Sequence, residues 1–178
     1  DVAAARKMLA DAGFPGGKGL PPLSVAYRAG RPDSERVAAA AVTDLKTNLG
    51  VPVQGTGMEF GALLEARRKG GLQMASLSWY GDYLDAQNFL SLLFRTDAPQ
   101  NFERVSDPKI DAFLDAADAS ADAAERAKAY NAAEDLLLAG AYRWPVYFAE
   151  EAMLVKPNVT NLESNLFGTM PLRKTGFR

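Results

Sequence analysis

The first half of this chain alternates helix-like with strand-like segments, and each helix-like segment runs into glycine. Asp1 caps a run that places Ala5, Met8, Leu9 and Ala12 on one face and stops at Gly13. After the Gly/Pro loop from Phe14 to Pro22, the residues Leu23-Ser24-Val25-Ala26-Tyr27-Arg28 alternate apolar and polar, the period of a strand. Asp33 then caps a helix with Val37, Ala41, Val42, Leu45 and Leu49 on one face and Gly50 as its stop. A short strand follows over Val51 to Gln54, where Pro52 requires an edge position or a strand start because it has no N–H to give to a ladder. Glu59 to Lys69 is the next helix, with Phe60, Leu63 and Leu64 inward and Gly70-Gly71 behind it, and Leu72 to Trp79 is the third strand. Strands separated by helices pair in parallel through crossovers, so the expected fold class is α/β, a mixed, mainly parallel sheet flanked by helices. Parallel strands share a carboxyl edge, which would bring Arg28 and Asp82 to one side of the sheet, where open α/β sheets hold ligands.

The second half turns helical. Gln87 to Phe94 carries Phe89, Leu90 and Leu93 on one face, and Asp107-Pro108 reads as an N-cap followed by proline at the first helical position, leading into Ile110, Phe113, Leu114 and Ala117. Asp122 with Glu125 three residues on is a capping box for a helix bearing Ala127, Tyr130, Leu137 and Leu138 and closed by Gly140. Arg143 to Ala149 and Ala152 to Val155 are strand candidates, joined at Glu150-Glu151 as a hairpin. Beyond Lys156-Pro157 the periodicity fades, so 1–157 is expected to form the lobe and 158–178 a tail that needs a partner surface.

Composition narrows the function. With no cysteine and no histidine in 178 residues, thiol nucleophiles, Cys/His zinc sites and Ser-His-Asp triads are excluded. A net charge of -2, with its cations spread among its anions, gives no stripe for nucleic acid and no polybasic patch for anionic lipid. Neither a cofactor nor a metal is expected. No apolar run is long enough to span a bilayer and no signal peptide is visible; the chain opens on Asp1 straight into a helix, so the start reads as a cut inside a larger protein.

The segment Leu77-Ser78-Trp79-Tyr80-Gly81-Asp82-Tyr83-Leu84-Asp85 sets carboxylates and aromatics around one glycine where a strand ends. That is the make-up of a pocket for a cation: an Asp meets an ammonium, an aromatic face covers the stem behind it, and glycine lets a ligand approach the backbone. Strand-to-helix turns carry the same residues for plainer reasons, with Trp79 and Tyr83 as core aromatics and Asp85 as a helix cap.

The order of the motifs carries a resemblance. Ala5 to Gly17 (Ala-Arg-Lys-Met-Leu-Ala-Asp-Ala-Gly-Phe-Pro-Gly-Gly), Leu49-Gly50-Val51, Met58-Glu59-Phe60, Trp79-Tyr80-Gly81-Asp82-Tyr83, Asn88-Phe89-Leu90, Asp111 to Ala117, Arg126 to Tyr130, Ala133-Glu134, Pro145-Val146-Tyr147 and Val155-Lys156-Pro157 together resemble the C-terminal lobe of the dipeptide and oligopeptide substrate-binding proteins of bacterial ABC importers, family 5 of the extracellular solute-binding proteins. The resemblance implies a periplasmic-binding-protein-like single lobe that has lost its mate, in a periplasmic or extracytoplasmic location. It implies as partners a peptide ligand, the N-terminal lobe of the same protein and the membrane subunits of an importer, with no nucleic acid. It also implies that Asp82 holds the ligand's free α-amino group, that Trp79 is the Trp of the Trp-x-Gly-Asp motif with Tyr80 and Gly81 beside it, and that Arg28 falls, by spacing, near an arginine that meets the ligand carboxylate. The family usually continues Asp-Tyr-x-Asp-Pro, whereas this chain has Ala86 in place of the proline, which frees the turn.

Three functions follow for comparison. A binding lobe performs no chemistry; a dissected lobe without its mate is a scaffold that self-associates as a homodimer through its exposed cleft face. A hydrolase using Asp82 and Asp85 as paired acids has no His, Lys or metal cluster beside them and makes a poor active site. Within the resembling family the ligand class stays open between peptides and solutes such as nickel chelates or oligosaccharides.

Overall fold

The structure is a computed structural model that describes residues 1–150, 152–163 and 172–178. It divides into two compact units, Asp1–Ser78 and Trp79–Arg178. The first unit holds α1 (Val2–Asp11), β1 (Leu23–Arg28), α2 (Pro32–Leu49), β2 (Val53–Met58), α3 (Phe60–Lys69) and β3 (Met74–Ser76). Its sheet has the order β2-β1-β3 with both pairings parallel, Val25 facing Gly55 on one side and Met74 on the other. An α/β layer with a parallel sheet flanked by helices is thus what the alternation of periods produces.

The helix ends follow the expected chemistry with one exception. Asp1 accepts from Ala4 N–H and Glu59 from Ala62 N–H, while Gly50 and Gly70 take the left-handed conformation that closes α2 and α3. Asp33 is not the cap of α2: Pro32 occupies the first helical position, Arg31 precedes it, and Asp33 sits in the first turn with its carboxylate on the Arg31 guanidinium at 3.0 and 3.1 Å. Gly17 and Gly50 are set against each other so closely that a methyl group on Gly17 would lie 2.6 Å from the Gly50 carbonyl oxygen, and one on Gly50 would lie 2.5 Å from that of Gly16. This contact locks the loop after α1 onto the end of α2.

The core of this unit is Val25, Ala38, Val51 and Val53, packed against Leu9, Leu23, Val42, Leu45 and Leu49 among others. Met8 is exposed and does not share the inward face of Ala5 and Leu9. The second strand starts after Pro52 and runs on through Gly55 and Gly57, later than the expected Val51–Gln54, because those glycines leave the space that the Tyr27 ring fills. Pro52 does precede an edge strand. The third strand is cut to Met74–Ser76, where β1 offers partners.

The second unit holds a 3₁₀ turn at Ala86–Asn88, α4 (Ser91–Phe94), α5 (Pro108–Ala119), α6 (Ala123–Ala139), and β4 (Val159–Thr160) paired antiparallel with β5 (Gly176–Phe177). Gln87 to Phe94 is therefore not one helix, and Phe89 points outward while Leu93 and Phe94 are buried. Ile110, Leu114 and Ala117 of α5 meet Tyr130, Ala133 and Leu137 of α6 in the core; Phe113 and Leu138 are exposed. Asp107 and Asp122 cap as expected, but Glu125 does not complete a box: its carboxylate takes the Ser120 hydroxyl, and the Asp122 N–H goes to Ser120 Oγ. The expected strands at Arg143–Ala149 and Ala152–Val155 do not form, and Glu151 of their turn lies outside the described residues. Two short strands without a sheet are marginal in water, and here Phe148 and Leu154 stand fully exposed.

Candidate functional site

The turn from Trp79 to Asn88 is built around one buried side chain. Asn88, fully buried at the end of the 3₁₀ turn, accepts at Oδ1 from the Trp79 indole N–H at 2.8 Å and from the Asp82 backbone N–H at 3.3 Å. Two donors on one oxygen fix which end of the amide is which. Its Nδ2 is buried with no hydrogen-bond partner among the described residues. Trp79 is half-buried and packs against the α5–α6 core.

Gly81 is required by its neighbour. A methyl group there would come within 2.9 and 3.0 Å of the Phe89 ring, so glycine lets that ring cover the turn. Tyr80 is 58% exposed, and Tyr83 donates its hydroxyl to Gln87 Oε1 at 3.0 Å.

The two acids of the turn have different fates. Asp85 caps the 3₁₀ turn through Gln87 N–H and takes Nη2 of Arg126 on both oxygens, at 2.6 and 2.7 Å. Arg126 also donates to the Ala117 carbonyl at 2.8 Å, and Tyr130 beside it gives its hydroxyl to Asp118 at 2.6 Å. Burial, then the Asp118 hydrogen bond, pushes the Tyr130 phenol well above its ordinary range. Asp82 is exposed, and its carboxylate has no hydrogen bond or ion pair among the described residues. Asp82 and Asp85 are thus set in different surroundings, one in water and one on Arg126.

Arg28 ends β1 in the first unit, its guanidinium over the Phe60 ring at 4.3 Å from the centroid. Phe60 is accordingly a half-open cover for a cation and not an inward core residue. No cluster of metal-ligating side chains occurs among the described residues. Asn88 and Arg126 are residues that reading for charges and aromatics passed over. A polar Asn opening the apolar run Asn88-Phe89-Leu90-Ser91-Leu92-Leu93-Phe94 was the available signal, because a buried amide there needs a job.

An α/β unit followed by a carboxylate-bearing turn and a helix pair defines the class to which comparison assigns this chain. The family model for the bacterial extracellular solute-binding proteins, family 5 (middle part), matches residues 1–101, and the chain belongs to that family. It is 32% identical over 155 residues to the periplasmic murein peptide-binding protein MppA of Escherichia coli, a match covering 87% of this chain and 28% of that protein. It is 33% identical over 125 residues to the probable deoxycholate-binding periplasmic protein YgiS of the same organism, covering 70% of this chain and 23% of that one. The solved structure of Escherichia coli MppA superposes with a TM-score of 0.79 at 30% identity, over 90% of this chain and 31% of that chain. The fold is therefore that of a periplasmic-binding-protein lobe, and the chain spans under a third of the length of these relatives. No helix among the described residues is long and apolar enough to cross a membrane.

Proposed function

We propose that this chain is the peptide-binding part of a periplasmic or otherwise extracytoplasmic substrate-binding protein that delivers peptides to an ABC importer, with Asp82 receiving the ligand's α-ammonium. The observation that carries this reading is the contrast within one turn: Asp85 is held by Arg126, while Asp82 presents a carboxylate with no partner among the described residues, from a turn anchored on a buried amide. An ammonium is a three-donor cation, and a charge-assisted bond to an exposed carboxylate at a preformed turn is the contact it needs. Tyr80 offers an open ring face beside it, and Trp79 and Gly81 shape the turn. Arg28 stacks on Phe60 at the end of β1 in the first unit.

The binding is of one solute without chemistry, as in the family. Residues 158–178 and the exposed apolar positions Trp144, Val146, Phe148 and Leu154 serve contacts with the rest of a longer polypeptide, including an N-terminal lobe. The test is calorimetric titration with short peptides, with the recovered peptide weighed by mass spectrometry. Binding with the peptide recovered intact supports the reading; cleavage would overturn the non-enzymatic part of it.

The likeness to YgiS favours a second reading, a steroidal carboxylate in place of a peptide. Such a ligand brings a negative charge to Asp82 and would be repelled by it. Titration with deoxycholate separates the two: binding strengthened by Asp82→Asn is the signature of the second reading.

A further inference from the structure

We propose that Asn88 is the positioning residue of this binding turn, acting on the ligand only through Asp82 and Trp79; the proposal rests on the reading of Asp82 as the ammonium partner. Three features converge on it. The Asn88 amide oxygen is the common acceptor for the Trp79 indole and the Asp82 main chain, so one atom fixes the spacing between the ring packed on the helix-pair core and the residue that bears the charge. Asn88 is 0% exposed and its Nδ2 has no partner among the described residues, so the side chain stands there for its oxygen. Gly81 lies between the two donors in sequence, with the Phe89 ring so close that a methyl group there would come within 2.9 Å of it.

An exposed carboxylate held by nothing else among the described residues owes its location to its backbone, and the Asp82 backbone N–H is tied only to Asn88 there. Removing the acceptor releases both donors at once. The Asp82 charge then samples many positions, and a ligand must fix it at its own cost in affinity. The neighbouring tie from Arg126 to Asp85 holds the far end of the turn and does not replace this one.

The experiment is a double-mutant cycle on this chain, with trialanine and N-acetyl-trialanine titrated and followed by NMR. Asn88→Leu, which keeps the branched side-chain skeleton but loses the acceptor, should weaken trialanine binding about tenfold. Asp82→Asn should cost about tenfold or more in the unmutated chain and under about threefold once Asn88 is Leu, because the charge is already misplaced. A merely structural Asn88 leaves the Asp82→Asn factor the same in both backgrounds, and that result overturns the proposal. If Asp82→Asn and acetylation both leave affinity unchanged, the ammonium reading itself is wrong and the positioning role goes with it. Should Asn88→Leu fail to fold, hydrogen exchange of the unmutated chain decides: the Trp79 indole N–H and the Asp82 N–H should exchange well below the rate of exposed groups, and exchange at the exposed rate refutes the tie.

Discussion

The Arg126 guanidinium on α6 holds both carboxylate oxygens of Asp85 across 41 positions of sequence, at 2.6 and 2.7 Å. The same side chain donates to the Ala117 carbonyl near the end of α5, so a single cation joins the Trp79–Asn88 turn to both helices of the pair. The pair is only partly exposed, at 22% and 39% of the two side chains, which places it between a surface contact and a buried one.

Arg126→Met should therefore destabilise the chain by about 2 kcal/mol, above the value of a surface ion pair and below that of a buried one broken on one side. Urea unfolding measures it. A loss under about 0.5 kcal/mol would show that the contact is not kept in solution.

Gly50→Ala tests the glycine lock between α1 and α2. The residue sits at φ 69°, and its new methyl group would lie 2.5 Å from the Gly16 carbonyl oxygen, a backbone atom that cannot rotate away. The two penalties together should cost about 2–4 kcal/mol, against about 1 kcal/mol for Gly13→Ala, whose added methyl meets nothing. Equal losses would remove the contact from the account.

Asp33 should titrate at about 2, because the Arg31 hydrogen bond and then the Ser34 backbone N–H favour its charged form. A carboxylate depressed in the folded state contributes stability that is present above its unfolded value near 4 and lost as pH falls through about 2. Arg31→Gln should return the midpoint toward the ordinary range. An NMR titration in which Asp33 moves near pH 4 in the unmutated chain would contradict the geometry.

Self-association is expected of the chain by itself, since Phe148 and Leu154 are 99% and 102% exposed and Tyr80 adds to the open apolar surface. Sedimentation should show a concentration-dependent rise in mass that Phe148→Ser with Leu154→Ser reduces. A strict monomer at high concentration would argue against it.

The helices were legible in the sequence because their ends are local: Asp1, Glu59, Asp107 and Asp122 cap within three residues, and Gly50 and Gly70 terminate by conformation alone. The strands were less so. Gly55 and Gly57 look like breakers, yet they lie in β2 because Tyr27 of the neighbouring strand needs their space. Alternation over Arg143–Ala149 says only that one face wants covering, and a strand also needs a partner that periodicity does not supply. At the site, the exposed acid Asp82 could be picked out by charge and setting. The Asn88 tie is local, six positions within one turn, and shows only as a polar residue opening an apolar run; the Arg126 tie spans 41 positions and depends on where α6 lies, which no local pattern specifies.

The most direct test of the account is isothermal titration of the chain with trialanine and with its N-acetylated form under identical conditions. A charge-assisted hydrogen bond contributes roughly 1.5–3 kcal/mol, so acetylation should weaken binding about ten- to a hundredfold in the unmutated chain and make almost no difference once Asp82 is Asn, with the melting temperature unmoved. Equal affinity for the two peptides in the unmutated chain, together with a lowered melting temperature for Asp82→Asn, would show that Asp82 only shapes its turn.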